Sequence, residues 1–223
     1  MRQPERGYRY SLDSLLLAEF CRPRARERIL DLGAGVGVIG LLLARHHPTV
    51  SVIGIELQRD LALHAAANAR ANALEERCRF IRGDLREAPR YLPPEHFHRI
   101  VANPPFRRTG TGAVAPDRNR AGARHEFTFS LDDLTRTAAA LLRFGGALDV
   151  IHLAERLPDL FSALAASGLE PKTLRHVAPF PGTPPHRVLL SAVKGGRPGL
   201  RTLPLLVLHD GEKTPTGQAV AAP

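Results

Sequence analysis

The sequence lacks the features that mark membrane and secreted proteins. No run of about 20 uninterrupted apolar residues occurs in the chain, which excludes a membrane-spanning helix. Its first stretch, MRQPERGYRY, also lacks the apolar segment of a signal peptide. We therefore expect a cytoplasmic protein.

Cysteine is scarce, and the histidines show no metal-binding pattern. Cys21 and Cys78 are too few and too far apart for a disulfide framework or a zinc site, so we expect reduced, partly buried thiols. The ten histidines contain no HExxH motif, and the pair His46-His47 follows an apolar helical pattern just before Pro48. We predict no metal site.

Acidic residues are outnumbered by basic ones. The chain has 31 Lys and Arg against 22 Asp and Glu, a formal net charge of +9. Such an excess favours a polyanionic partner, with nucleic acid the first candidate and an anionic membrane surface the second. An arginine-rich composition without any partner is the alternative.

The length of 223 residues suits one well-buried core and leaves little room for a second domain. We expect a single domain over residues 1–223. Its core should comprise residues 28–194, preceded by an N-terminal segment, 1–27, and followed by a C-terminal extension, 195–223.

Apolar runs alternate with helical patterns along most of the chain, which predicts strands joined by crossover helices. The first four predicted strands are RILDL (28–32), SVIGIE (51–56), CRFIRGD (78–84) and RIVA (99–102). The helices predicted in this half are SLDSLLLAEF (11–20), with Ser11 as its N-cap, VIGLLLARH (38–46) and an alanine-rich helix from Asp60.

The second half continues the pattern and then changes it. Ser130 and Asp133 form a capping box that begins a helix, which we expect to end at Gly145-Gly146. ALDVIHL is the fifth strand, and a helix around LPDLFSALAAS ends at Gly168. The last two strands, TLRHVAPF and RVLLSAVK, are joined by PGTPPH, which is too short for a crossover helix, so they should be antiparallel.

The predicted fold is therefore α/β, with a seven-stranded, mostly parallel sheet whose last strand is antiparallel and with helices on both faces. Two stretches fit no regular element. The segment 107–124 has the composition of a long basic loop, and long loops inside compact domains are often functional. The tail from Gly195 contains LPLLVLH, a candidate for an additional strand.

DLGAGVG, residues 31–37, follows the first strand and begins a helix. Gly33, Gly35 and Gly37 let the backbone approach a ligand closely, beside the free amides of a helix N-terminus. Asp31 at the strand tip can bind a cation such as an amino acid's ammonium group and would repel a pyrophosphate. The glycine spacing alone still leaves a nicotinamide dehydrogenase open.

Two further acids follow successive strands. Glu56 ends the second strand, where a carboxylate can accept hydrogen bonds from both hydroxyls of a ribose. Asp84 follows the third strand, where it can accept from an adenine amino group or serve as a turn or cap residue. Because open α/β sheets bind ligands at the carboxyl ends of their strands, these acids predict a ligand with an amine, a ribose and an adenine.

Asn103-Pro104-Pro105-Phe106 follows the fourth strand at the same edge. Proline cannot donate to the sheet, so this tetrapeptide ends the strand. The Asn103 side-chain carbonyl and the Pro104 backbone carbonyl can then accept both hydrogens of a planar NH₂ group, while Phe106 stacks on the attached ring. Without this role, the tetrapeptide would be a proline-rich strand terminator.

DLGAGVG, Glu56, Asp84 and NPPF together resemble the class I S-adenosylmethionine-dependent methyltransferases, which have a Rossmann-like fold and here would act on exocyclic or amide nitrogens. The flanking stretches narrow the resemblance. QPERGYRYSLDSLLLAEF, ARHEFTFSLDDL and AVKGGRPGLRTLPLLVLHD are similar to the bacterial tRNA1(Val) adenine-37 N6-methyltransferase family. The resemblance covers nearly the whole chain.

This resemblance implies S-adenosylmethionine as the cofactor and a role for each motif. Asp31 and the glycines would hold its amino-acid end, Glu56 its ribose and Asp84 its adenine. The remaining residues of the implied cofactor site are Leu57, Leu85, Asn103 and, on the N-terminal segment that would cover the cofactor, Asp13 and Ser14. Many relatives have Tyr where this chain has Phe106, so stacking is kept and a phenol hydrogen bond is lost.

The resemblance also implies a substrate, adenine N6 in structured RNA and foremost in a tRNA anticodon loop. Arginines just beyond the NPPF tetrapeptide can contact the phosphates around a flipped base. They are Arg107, Arg108, Arg118, Arg120 and Arg124. A solvated arginine-rich loop is the alternative, and NPPF also suits rRNA guanine, DNA adenine and protein glutamine methyltransferases. A non-catalytic RNA-binding module is the remaining possibility.

Overall fold

The computed structural model of the protein describes residues 12–104 and 129–209. The strands are β1 (Arg28–Leu32), β2 (Ser51–Glu56), β3 (Cys78–Arg82), β4 (Phe97–Ala102), β5 (Leu142–Leu153), β6 (Leu169–Ala178), β7 (Arg187–Lys194), β8 (Arg201–Thr202) and β9 (Leu206–Val207). The helices are α1 (Leu12–Phe20), α2 (Val38–His46), α3 (Arg59–Ala71), α4 (Ala88–Tyr91), α5 (Leu131–Leu141) and α6 (Leu157–Ala166). Among these residues, no helix is long and apolar enough to cross a membrane.

All the strands belong to one sheet, in the order β3-β2-β1-β4-β5-β7-β6-β8, with β9 also paired to β6. The pairs among β1 to β5 are parallel, and β7 is antiparallel to both of its neighbours. The predicted parallel sheet and the antiparallel final hairpin are confirmed. The predicted number of seven strands was too low, because the short strands β8 and β9 extend the β6 edge.

One helix is shorter than the sequence pattern suggests. The capping box is present, since the Asp133 amide donates to Ser130 Oγ at 3.0 Å and the Ser130 amide donates to Asp133 Oδ2 at 3.1 Å. The helix nevertheless ends at Leu141, whereas the sequence suggested that it continues to Gly145-Gly146. Leu142 adopts an extended backbone and pairs with Phe97, so the apolar run that looked helical is the start of β5.

The sheet is covered on both faces, which explains why both neighbouring residues Ile29 and Leu30 of its central strand β1 are apolar and buried. Neighbouring residues point to opposite faces. Ile29 packs with α1 and α2, whereas Leu30 packs with α5 and α6. Cys21 and Cys78 are free, as expected, but they are fully rather than partly buried, in the α1 and α2 layer. Within the described ranges, no group of three or more His, Cys, Asp or Glu could hold a metal ion.

The register brings the ends of the central strands level. Leu32 of β1 pairs with Ile55 of β2 on one side and with Ala102 of β4 on the other. Gly33, Glu56 and Asn103, each the next residue along its own strand, therefore lie side by side. We call the edge formed by the C-terminal ends of β1 to β5 the carboxyl edge, and the edge formed by their N-terminal ends the amino edge.

Candidate active site

The glycine loop after β1 is tight and anchored to β2. Gly33, Gly35 and Gly37 all have positive φ angles, of 78°, 56° and 87°, where other residues are strained. The Gly33 and Ala34 amides both donate to the Ile55 carbonyl at 2.9 Å. The loop therefore holds a fixed shape at the carboxyl edge, as the DLGAGVG pattern predicted.

Glu56 fixes this loop from the neighbouring strand. Its Oε2 accepts from the Gly35 amide and its Oε1 from the Gln58 amide, both at 2.9 Å, and the residue is buried. Each carboxylate oxygen retains a second lone pair, so these bonds are compatible with the predicted ribose contact. Sequence reasoning missed the loop-holding role because Gly35 lies 21 residues away.

Asp31 is fully buried and only half satisfied. Its Oδ2 accepts from the Gly40 amide at 3.2 Å, whereas Oδ1 has no hydrogen-bond partner among the described residues. Burial raises the pKa of this carboxyl to about 7; the Gly40 amide opposes the shift and the negative charge of Glu56 adds to it. A buried oxygen without a partner is costly, so the site fits a cationic group such as the ammonium of S-adenosylmethionine.

Asp84 caps the short 3₁₀ turn at Leu85–Glu87. Its Oδ1 accepts from the Arg86 amide at 2.9 Å, and the Arg86 guanidinium contacts both carboxylate oxygens. These hydrogen bonds lower the pKa of Asp84, so it is a charged acceptor. The capping role foreseen as one alternative is present, and the adenine contact stays a prediction.

Leu57 and Leu85 flank the two acids. Leu57 is half-buried, and Leu85 is buried with its backbone carbonyl held by the Thr137 hydroxyl at 3.2 Å. Leu57 directly follows β2, and Leu85 follows Asp84 at the start of the 3₁₀ turn after β3; the resemblance implied cofactor contacts at both positions. Their contacts with the cofactor stay predictions.

Phe80 is a part of the site that sequence reasoning did not single out. A Cβ added at Gly54 would lie 2.3 Å from its ring, and one added at Gly37 would lie 2.6 Å from it. The ring therefore fills the space that these glycines leave between β2 and the glycine loop. The available signal was Gly54, since a glycine inside a strand often marks the close approach of another group.

Asn103 follows β4 and is held by the N-terminal helix. Its Nδ2 donates to Ser14 Oγ at 3.2 Å, and Ser14 is buried in α1. Because Ser14 takes the NH₂ side of the amide, Asn103 Oδ1 faces away from it as an acceptor. Asn103 is half-buried and Pro104 is buried. Pro105 and Phe106 lie outside the described residues.

The proposed RNA-binding arginines also lie outside the described residues. They are Arg107, Arg108, Arg118, Arg120 and Arg124. Where the described chain resumes, Phe129 packs beside the glycine loop, since a Cβ added at Gly33 would lie 3.8 Å from its ring. Sequence reasoning missed this contact, because Phe129 was used only as part of the stretch ARHEFTFSLDDL and its side chain was given no role.

Asp13 is close to the site but has another partner. Its Oδ2 forms an ion pair with Arg187 Nε at 3.3 Å, which ties α1 to the start of β7. Ser14 and Asn103, which the resemblance implied as cofactor-site residues together with Asp13, contact each other directly. The structure therefore brings α1 to the carboxyl edge, where Ser14 contacts Asn103.

Comparisons with known proteins agree with this geometry. Residues 11–156 match the family model described as the methyltransferase small domain. A tRNA1(Val) (adenine(37)-N6)-methyltransferase of Porphyromonas gingivalis is 36% identical over 165 residues, which are 73% of this chain. The matched part spans 64% of that relative's length.

Two solved structures are similar over most of this chain. A predicted O-methyltransferase from Agrobacterium tumefaciens, Atu636, has a TM-score of 0.73 and 26% identity, covering 92% of both chains. TrmN from Thermus thermophilus has a TM-score of 0.61 and 28% identity, covering 81% of this chain and 48% of that one. Both similarities agree with the predicted Rossmann-like methyltransferase fold.

Proposed function

Because the chain belongs to the methyltransferase small domain family, we propose that it methylates the N6 amine of an adenine in RNA, foremost in a tRNA anticodon loop. S-adenosylmethionine is the methyl donor. The observation that carries the proposal is Asn103, whose amide is held by Ser14 beside the glycine loop. The substrate named for the relative in Porphyromonas gingivalis supports the choice of tRNA adenine, and a tRNA substrate supports a cytoplasmic location.

The cofactor supplies an electrophilic methyl group when bound. Asp31 Oδ1 would accept from its ammonium group, and the amides of the glycine loop would approach its amino-acid end. Glu56 would bind the ribose and Asp84 the adenine. Leu57 and Leu85 would provide apolar contacts beside them, and α1 with Asp13 and Ser14 would cover the site. These assignments rest on the burial and hydrogen bonding of the acids described above.

Asn103 would orient the substrate amine. Its Oδ1 and the Pro104 carbonyl accept one hydrogen each, which draws the nitrogen lone pair out of the base plane and towards the methyl group. Phe106 would stack on the base. The amine would receive the methyl group that the cofactor supplies, and its nitrogen would then lose one proton to solvent. Catalysis comes mainly from orientation, so no general base is required.

The arginines after the NPPF tetrapeptide would bind the RNA backbone. Arg107, Arg108, Arg118, Arg120 and Arg124 follow Asn103 closely in the sequence, so they can reach phosphates on either side of a flipped adenine. A methyltransferase of protein glutamine would have less use for these charges. These arginines therefore favour an RNA substrate over a protein substrate.

The test is to incubate the protein with labelled S-adenosylmethionine and, separately, tRNA, rRNA, DNA and protein from a bacterial extract. Digestion and mass spectrometry then identify the modified nucleoside or amino acid. We expect label in N6-methyladenosine from tRNA, and none with the Asn103→Ala variant. Label only in glutamine, in guanine or on an oxygen would contradict the proposal.

A further inference from the structure

The amino edge of the sheet carries a concentration of exposed arginines that the catalytic account does not use. They lie in the connection before β1, at the end of α2 and at the start of β5, and histidines lie among them. We call this set the basic surface: Arg22, Arg24, Arg26, Arg28, Arg45 and Arg143, with His46, His47, His96 and His98. All six arginines are exposed.

Contacts join these residues into one surface. The Arg28 guanidinium donates to the His96 carbonyl at 3.0 and 3.1 Å, and the Arg28 amide donates to His98 Nδ1 at 3.2 Å. The Arg26 amide donates to Thr49 Oγ1 at 3.2 Å, next to the end of α2. The parallel register places the starts of β1, β4 and β5 together, which adds Arg143 to the set.

The positive charges of this surface are not neutralised by the described part of the chain. None of the ion pairs formed among the described residues includes any of its six arginines. Arg22 and Arg28 donate to backbone carbonyls, which carry no net charge. Of the nearby acids, Glu27 is buried against Arg99 at 3.1 Å and Glu95 pairs with Lys194 at 2.9 Å. Within the described residues, Glu19 contacts Arg22 through its backbone carbonyl and not through its carboxylate.

Burial and the neighbouring positive charges both lower the pKa values of histidines in this surface. Burial lowers the pKa of His98, and the charges of Arg143 and Arg28 lower it further. Burial likewise lowers the pKa of His47, with His46 and Arg22 as the next causes. These lowered pKa values favour the neutral imidazoles of His47 and His98, so the positive charge here comes mainly from the arginines.

We propose that the basic surface is a second RNA contact, which binds the phosphate backbone of the tRNA at a distance from the methylated base. The chemistry fits because the arginines are exposed, have no carboxylate partner and can bind phosphate in two-pronged hydrogen bonds. An excess of positive charge of this kind supplies affinity rather than base specificity.

The position of the surface determines what it can bind. β1 has five residues, so at about 3.3 Å per residue the amino edge lies roughly 16 Å from the carboxyl edge. An isolated nucleotide at the active site cannot span that distance, whereas a folded tRNA can. The proposal rests on the proposed function for the identity of the RNA, but the binding measurement does not require turnover.

The experiment compares two triple variants of the full chain. Arg24→Gln, Arg26→Gln and Arg45→Gln together remove three charges from the basic surface. Arg79→Gln, Arg90→Gln and Arg136→Gln remove the same charge from exposed arginines that each pair with a carboxylate on their own element or turn. Filter binding of tRNA at about 50 to 200 mM KCl gives the affinity and its salt dependence.

We expect the basic-surface variant to bind tRNA at least about tenfold more weakly, with a salt slope shallower by about 2 to 3 units. Its turnover at saturating tRNA, its cofactor affinity and its thermal midpoint should match the wild type. The control variant should change tRNA affinity less than about threefold. Wild-type tRNA affinity and slope in the basic-surface variant would overturn the proposal.

An anionic membrane is the alternative partner, and a parallel measurement of vesicle binding tests it. Phosphatidylcholine vesicles that contain phosphatidylserine serve as the probe. Loss of vesicle binding in the basic-surface variant, with tRNA affinity unchanged, would overturn the RNA assignment. Absence of methyl transfer to any RNA would instead refute the proposed function, whatever the tRNA affinities are.

Discussion

Arginines at the two edges of the sheet differ in whether they pair with a carboxylate. At the carboxyl edge, Arg86 pairs with Asp84 and Arg187 pairs with Asp13. At the amino edge, the arginines of the basic surface form no ion pair within the described part of the chain. Arg86 and Arg187 therefore balance acids, whereas the six arginines of the basic surface leave a net positive charge.

The difference follows from what each edge has to bind. S-adenosylmethionine carries an ammonium and a sulfonium, so the carboxyl edge needs Asp31 and the other acids, and Arg86 and Arg187 there are paired with carboxylates. Attraction for RNA then has to come from the arginines after the NPPF tetrapeptide and from the basic surface.

A buried arginine at the amino edge provides the sharpest contrast with the exposed ones. Arg99 forms ion pairs with Glu27 and Asp149, and all three side chains are largely buried. Arg99→Leu leaves two carboxylates in the core without a partner, so we expect the free energy of unfolding to fall by about 3–5 kcal/mol. Urea denaturation measures this, with Arg24→Gln as the exposed control that should leave stability unchanged. Equal stability of the two variants would contradict the contrast.

At the carboxyl edge the largest expected effect is on turnover. Asn103→Ala removes the acceptor that orients the amine, so we expect methyl transfer to fall by roughly 10² to 10³-fold. Cofactor affinity, measured by calorimetry, should stay within about threefold, because Asp31, Glu56 and Asp84 remain. Loss of cofactor binding in this variant would contradict the assigned role.

Asp31 makes cofactor binding depend on pH. Its pKa is raised to about 7, mainly by burial, so below pH 7 the free protein holds a proton that an ammonium must displace. Affinity should therefore fall by up to about tenfold per pH unit below 7 and stay constant above it. In the cofactor-free protein, the same shift lowers stability as pH rises from about 4 to 7, because only the unfolded chain releases the proton there.

Calorimetry in buffers of different ionisation enthalpy measures this linkage. The wild type should release about one proton on binding at pH 6 and almost none at pH 8. Asp31→Asn should bind more weakly with no such difference. An unchanged proton release in Asp31→Asn would assign the linkage to another group.

Ser14 should have the smallest of these effects. Its hydroxyl accepts from the Asn103 amide, so Ser14→Ala loosens the orientation of Asn103 without removing it. We expect kcat to fall about fivefold to tenfold, as for one lost hydrogen bond, with cofactor affinity and KM for tRNA nearly unchanged. Ser162→Ala is the matched control, because that hydroxyl contacts only Pro158 on its own helix. Equal kcat values for the two variants would argue against this positioning role.

The sequence was sufficient for features that depend on neighbouring residues. The limits of β1, β2 and β7 followed from their apolar runs, and the antiparallel hairpin followed from the short PGTPPH connection. The end of α5 did not follow, because Leu142 to Phe144 suits a helix and a strand equally well. Pairing with Phe97 decides it, and that pairing depends on tertiary structure.

Contacts between distant residues could not be read from the sequence. The Ser14 and Asn103 side chains are in contact although they are 89 positions apart in the chain, and neither residue type indicates the contact. The basic surface likewise forms from residues that are distant in the sequence. Arg28, His98 and Arg143 precede or begin different strands, and only the parallel register places them together. The net charge indicated a polyanionic partner without indicating where it binds.

The most direct test of a catalytic edge opposed by an RNA-binding edge measures one tRNA with two variants. Asn103→Ala and the Arg24→Gln, Arg26→Gln, Arg45→Gln variant are each assayed for tRNA affinity and for the single-turnover rate at saturating tRNA and S-adenosylmethionine. We predict that the first loses the rate and keeps the affinity, and that the second loses the affinity and keeps the rate. Equal losses of both quantities in both variants would contradict the division of roles between the edges.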